Sequence, residues 1–168
     1  MNSTVPTLRF ATESDLDLIC ALIHELAEYE HLTAMVVDDP ERMRDALFGP
    51  RPAAEVVLAE ENGGPAGFAL FFQNFSTFLA RPGLYLEDLF VRPQFRSRGI
   101  GKALLLYLAK LARERGCGRY EWSVLDWNQP AIDFYQGLGA APMDEWRLMR
   151  VTGDALDQLG QRYDREFG

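Results

Sequence analysis

Glu87 and Asp88 stand side by side in the apolar run Leu84-Tyr85-Leu86-Glu87-Asp88-Leu89-Phe90-Val91. Charges in so apolar a stretch are costly unless they bind a cation or move a proton. The next residues, Arg92 to Lys102, form a basic segment with glycines at 99 and 101. A strand that hands a glycine-bearing loop to a helix N-terminus presents backbone N–H groups to phosphate. The pattern therefore points to chemistry at a carboxylate beside a bound phosphate-bearing molecule.

Arg96-Ser97-Arg98-Gly99-Ile100-Gly101 fits the form (Gln/Arg)-x-x-Gly-x-(Gly/Ala). It is not a dinucleotide fingerprint, because Leu104 occupies the place of the third glycine. It is not a P-loop either, since no Gly-Lys-(Ser/Thr) follows.

The surrounding elements must position this segment. Leu8-Arg9-Phe10 reads as a short strand, and Thr12-Glu13-Ser14-Asp15 as a helix cap. Apolar positions 16, 19, 20, 23, 26 and 27 recur at helical spacing, predicting an amphipathic helix from 13 to about 30. Asp38-Asp39-Pro40 opens a second short helix that Gly49-Pro50 ends. A strand follows over 55–60. Asn62-Gly63-Gly64 is a hairpin signal leading into a strand from about Ala66 to Asn74. Arg81-Pro82-Gly83 is expected to turn the chain into the central strand. A helix from Gly101 to about Arg115 stops at Gly116, and a strand covers 119–124. Asn128 with Pro130 opens a helix that ends at Gly137 or Gly139. A last strand is predicted over 146–151, followed by a polar helical tail. A hairpin-rich first half and an alternating second half predict a single α/β (α+β) domain over 1–168. Its sheet is mixed, mostly antiparallel and flanked by helices, rather than doubly wound.

With 17 Lys and Arg against 25 Asp and Glu, the 168-residue chain carries a formal charge of −8. That disfavours nucleic acid as a partner and is compatible with a cationic small molecule. Cys20 and Cys117 are far apart and form no metal or disulfide framework. Met1 to Pro6 lacks a signal-peptide pattern, and no apolar run reaches the roughly 20 residues that span a membrane. A cytoplasmic protein without membrane association is the expectation.

Three segments together resemble the GCN5-related N-acetyltransferase superfamily, and within it the diamine (spermidine/spermine) and thialysine acetyltransferases. They are Glu25-Leu26-Ala27-Glu28-Tyr29-Glu30, the run 84–91, and Trp127-Asn128-Gln129-Pro130-Ala131-Ile132-Asp133-Phe134-Tyr135. The resemblance implies acetyl-CoA as donor, a small cationic amine as acceptor, and a homodimer. It implies that Leu89, Phe90 and Val91 hold the pantetheine arm through their backbone. Arg96, Ser97, Arg98, Gly99, Ile100, Gly101 and Lys102 would hold the pyrophosphate, and Asn128, Pro130 and Ala131 would border the cofactor's far side.

Acetyl transfer to an amine needs a base, because an alkylammonium of pKa about 10.4 cannot attack. It also needs donors for the developing oxyanion and a proton for the leaving thiolate. By resemblance Glu87 is the base and Tyr135, beside the sulfur, the acid. Asp88, Tyr29, Glu30, Glu121, Trp122, Ser123 and Glu145 are candidate contacts to the amine substrate. Diamine enzymes carry an acid and a tryptophan where this chain has Ser76-Thr77-Phe78, and that difference resembles the thialysine branch. The readings kept beside this one are a non-catalytic acyl-CoA sensor and an enzyme acting on an amino acid or peptide N-terminus.

His24, Glu28 and His31 share one predicted helix face but find no fourth ligand, so no metal is expected. Cys117 falls at a helix C-terminus, where the dipole opposes a thiolate. Direct attack by the amine is therefore expected over a covalent acetyl-cysteine.

Overall fold

The structure, a computed structural model, describes residues 5–168. Most of the Met1–Pro6 segment therefore lies outside the described residues. The chain divides after Ser123 into two compact units.

The first unit is built on a five-stranded sheet in the order β1-β2-β3-β4-β5. Its strands are β1 (Thr7–Phe10), β2 (Glu55–Glu61), β3 (Gly64–Ser76), β4 (Arg81–Val91) and β5 (Arg119–Trp122). Neighbours pair antiparallel except β4 and β5, which run parallel. The expected mixed, mostly antiparallel sheet is thus present.

Local chemistry explains the connections. Asn62 and Gly63 both adopt positive φ, 53° and 75°, as a two-residue hairpin between right-twisted strands requires. At the start of the first helix, the Thr12 N–H donates to the Asp15 carboxylate at 2.8 Å. Arg9 pairs with that same carboxylate and holds it well below the usual range. A 3-10 turn over Glu13–Asp15 leads into helix α1 (Leu16–Tyr29). Asp39 accepts the Arg42 N–H at 3.0 Å and caps α2 (Pro40–Phe48). Helix α3 (Ile100–Glu114) ends where Gly116 turns left-handed at φ 69°.

Two helical layers cover the sheet. Ile19, Leu22 and Leu26 of α1 and Leu47 of α2 pack on Val56, Leu58, Phe68, Leu70 and Phe90. Val57, Ala69 and Phe71, of opposite parity on β2 and β3, are buried on the other face together with Leu84 and Leu86 of β4. Helix α3 lies there, with the Arg115 guanidinium over the Phe71 ring at 5.7 Å. Fully buried Phe68 and Phe71 each contribute about 2–3 kcal/mol of apolar burial.

The β3–β4 register contains one irregularity. Leu70 pairs with Asp88 and Phe71 with Leu86, so Glu87 is an extra residue on β4. This bulge reverses the parity of the strand. Before it, Leu84 and Leu86 face α3; after it, Phe90 packs with α1 and Asp88 shares its parity.

The second unit, Val124–Gly168, carries α4 (Gln129–Gly137) and α5 (Gly153–Phe167). The Asn128 carbonyl accepts the Ala131 and Ile132 N–H groups at 3.1 Å, and Pro130 lies in the first turn, as expected. Gly139 adopts φ 97° just after α4, and the polar tail is helical.

Two expectations are corrected. Arg81-Pro82-Gly83 is not the turn into β4 but its first residues; the turn is made by Thr77–Ala80, with Ala80 at φ 52°. A Cβ at Gly83 would lie 2.2 Å from Asn74 Oδ1 and 3.0 Å from Arg119 Cγ, so a larger residue there would displace those side chains. The strand predicted over 146–151 does not form. Those residues carry neither strand nor helix, and Trp146, Leu148 and Met149 are exposed. Alternation is a local property, whereas a strand exists only through a ladder with a partner. No helix among the described residues is long and apolar enough to cross a membrane.

Candidate active site

The donor side is built where β4 leaves β5. Their pairing runs from Gly83–Arg119 to Leu86–Trp122 and stops. Among the described residues, no strand pairs with Glu87–Val91 on that edge. The Arg92 N–H donates to Ala66 on the β3 side at 2.9 Å. Successive peptide groups alternate direction, so the Leu89 and Val91 N–H groups face the open edge. The Val91 carbonyl on that edge accepts Arg96 Nε at 2.9 Å.

Helix α3 begins beside this edge. A Cβ at Gly101 would lie 3.7 Å from Val91 Cγ2 and 3.9 Å from Leu89 Cδ2. Ala103 N–H makes the first intrahelical bond, to Gly99 at 2.9 Å, so the N–H groups of Ile100, Gly101 and Lys102 have no helical acceptor. Gly99 caps the helix at φ 83°, and a Cβ there would meet nothing within 4 Å. Ser97 is also left-handed, at φ 61°. Ile100 is buried and anchors the first turn, while Lys102 is exposed. Three orphan N–H groups, open space before them and an adjacent strand edge fit a pyrophosphate joined to an extended amide-bearing arm.

The loop's arginines are already engaged. Arg96 lies over the Tyr29 ring at 4.5 Å. Arg98 donates to Glu61 at 2.7 Å and lies over the Phe95 ring at 5.6 Å. Arg92 grips Glu25 of α1 in a bidentate pair, Nη2 to Oε1 at 2.7 Å and Nε to Oε2 at 2.9 Å. It also donates to the Pro65 carbonyl at 3.0 Å. Sequence reading found the loop but not these anchors, Glu25, Glu61 and Arg92. The only hint at Glu61 was a charge closing an apolar strand just before Asn-Gly.

The acceptor side gathers carboxylates. Asp88 is half-buried on the α1 face of the sheet, and Glu30 follows the last residue of α1. Burial first, then the charges of Glu87 and Glu30, push Asp88 up to about 6. Burial likewise raises Glu30. Glu87, the bulged residue, is exposed. Asp88 thus lies within electrostatic reach of two other acids predicted from sequence, Glu87 and Glu30. Among the described residues, no group of His, Cys, Asp or Glu side chains is arranged to hold a metal ion. His31 leaves the helical stripe altogether, turning at φ 59° beyond the end of α1.

Neighbouring candidates on β5 are partly committed. Glu121 pairs with Arg119 at 2.7 Å and accepts from Asn74 at 3.4 Å. Trp122 packs its ring on Tyr120 at 4.9 Å. The Ser123 and Tyr85 hydroxyls are 2.8 Å apart, and Tyr85 stacks on Phe72 at 5.1 Å. In the second unit, Tyr135 is half-buried on α4 with its ring 5.7 Å from Phe134, and Glu145 is exposed. Asn128, Pro130 and Ala131 form the start of that helix.

Comparison with known proteins agrees with this geometry. The chain is 37% identical to a thialysine N-epsilon-acetyltransferase of Bos taurus, covering 90% of this chain and 95% of the relative. It is 36% identical to an L-ornithine N5-acetyltransferase of Arabidopsis thaliana, covering 90% and 86%. The solved structure of an integron cassette protein from the mobile metagenome of V. cholerae superimposes with a TM-score of 0.78 at 26% identity, covering 94% and 99%. The model of the Acetyltransferase (GNAT) family matches residues 20–140, on both sides of the division after Ser123. A strand edge released beside a glycine-capped helix, carried on a chain with these relatives, places the protein in the GNAT acetyltransferase family.

Proposed function

We propose that this N-acetyltransferase moves the acetyl group of acetyl-CoA to a primary amine of a small cationic substrate, a diamine, polyamine or thialysine-like compound. The amine attacks directly while donor and acceptor are bound together. The observation that carries this reading is the convergence of Glu30, Glu87 and Asp88 next to the open edge of β4. Such a group of acids attracts ammonium and offers a proton acceptor beside the donor site. Relatives named for thialysine and ornithine support the same acceptor class.

Acetyl-CoA supplies an activated acyl thioester. Leu89 and Val91 hold the arm through their outward N–H groups, and the Leu89 N–H stabilises negative charge developing on the acyl oxygen. The α3 N-terminus and Lys102 hold the pyrophosphate. Glu87 accepts the amine proton, directly or through water. The raised pKa of Asp88 favours a second reading, in which Asp88 is the acceptor and Glu87 binds the incoming cation. Tyr135 protonates the departing thiolate; a phenol keeps its proton at pH 7 and can give it to sulfur. Tyr29 and Glu30, with Glu121, Trp122, Ser123 and Glu145, are assigned to the acceptor. The reading extends to a cytoplasmic homodimer, on the family resemblance and on two free cysteines.

Incubating the protein with acetyl-CoA and a panel of amines, and following free thiol, tests the function. Thiol release with cationic amines is expected. CoA binding without release for any amine would instead favour an acyl-CoA sensor.

A further inference from the structure

Arg98 stands between two left-handed residues, Ser97 at φ 61° and Gly99 at φ 83°. For Ser97 this conformation is intrinsically unfavourable, so the loop holds it only if surrounding contacts fix it. The side chain between them does not reach toward the orphan N–H groups. It turns to the β2–β3 hairpin, where Glu61 closes β2 opposite Gly64. The Glu61 side chain is only 2% exposed, against 51% for Arg98, and their polar atoms are 2.7 Å apart. Phe95 completes the junction. The Arg98 guanidinium lies over its ring, and a Cβ on Gly64 would come within 4.0 Å of its edge. A buried carboxylate at the end of β2 thus grips the middle of the phosphate loop.

We propose that Glu61 is a positioning residue for donor binding, acting through Arg98 to hold the loop with its N–H groups set for the pyrophosphate. This rests on the reading of residues 96–102 as the donor's phosphate loop. Arg98 then serves mainly as a strut, and Lys102 is the loop's cation for phosphate. A ligand that finds its site formed does not lose affinity to ordering it.

The test uses the full chain and CoA as probe. E61Q keeps shape and removes the charge. It is expected to weaken CoA binding in calorimetry by about tenfold, the scale of a lost charge-assisted hydrogen bond. At saturating acetyl-CoA, kcat and the amine KM should stay near wild type. Hydrogen exchange of the 99–102 amides should quicken in the free protein, with β2 and β3 unchanged. R98Q should weaken CoA binding at least as much as E61Q, and the double variant should be no worse than R98Q alone. K102A separates the two layers of the argument. If K102A weakens CoA binding and E61Q leaves it unchanged or tightens it, the positioning role is overturned and the loop reading stands. If neither variant affects CoA, the loop reading itself fails. Should E61Q not fold, R98K carries the test, since it keeps the charge and loses the planar fork; wild-type CoA affinity in R98K would then overturn the proposal.

Discussion

The charge of Glu30, just past the end of α1, reaches Asp88 on β4 and adds to the burial that raises the Asp88 pKa. The bulge at Glu87 makes this meeting possible, because it turns Asp88 to the face that α1 covers. Without the extra residue, Asp88 would keep the parity of Leu84 and Leu86 and face α3.

The pH dependence of stability follows from that relationship. The Asp88 pKa rises from 3.8 to about 6 on folding, so the folded state binds more protons between those values. Stability from this group is therefore present at low pH and falls as pH rises from about 4 to 6. Asp88→Asn should stabilise the protein at pH 8 by about 1–3 kcal/mol, an advantage that shrinks below pH 4. Urea unfolding at the two pH values measures the difference. If Asp88 is also the proton acceptor, the acidic limb of the kcat/KM profile near pH 6 disappears in the same variant.

Glu87→Gln separates the two candidate bases from the other side. If Glu87 accepts the proton, kcat should fall by about 10²–10⁴, and the loss should shrink at high pH as more amine arrives unprotonated. Steady-state rates from pH 6 to 10 give the answer. A pH-independent loss places Glu87 in cation binding.

Tyr135→Phe should lower kcat by about 10–10³ while leaving the KM for acetyl-CoA within about twofold, because only the hydroxyl proton is removed. Turnover at the wild-type rate would take the acid role from Tyr135.

Glu25→Gln weakens the two-point grip on Arg92, which links α1 to the end of β4 and to the Pro65 carbonyl. The pair is mostly shielded from water, and losing it should cost about 1–3 kcal/mol, lowering Tm by roughly 3–10 °C. Differential scanning calorimetry reads this directly.

Where the signal was local, sequence reading and structure agree. Asn62-Gly63 demanded positive φ, Gly99 with Gly101 marked the start of α3, and Gly116 marked its end. The bulge was not legible, because residues 84–91 satisfy a regular alternation in either register. Regular alternation would put Glu87 and Asp88 on opposite faces of the strand, and it breaks at this point. The strand expected over 146–151 failed for a related reason, since periodicity does not supply a pairing partner. The Glu61–Arg98 and Glu25–Arg92 pairs join residues far apart in the chain, and no spacing rule connects them.

The most direct test of the central claim compares kcat/KM, with acetyl-CoA as donor, across thialysine, ornithine, lysine, putrescine, spermidine and the monoamine pentylamine. The carboxylates Glu30, Glu87 and Asp88 predict that at least one substrate carrying a second amine exceeds pentylamine by tenfold or more, about 1.4 kcal/mol of cation recognition. Equal values for pentylamine and every amine with an additional ammonium group would contradict the account.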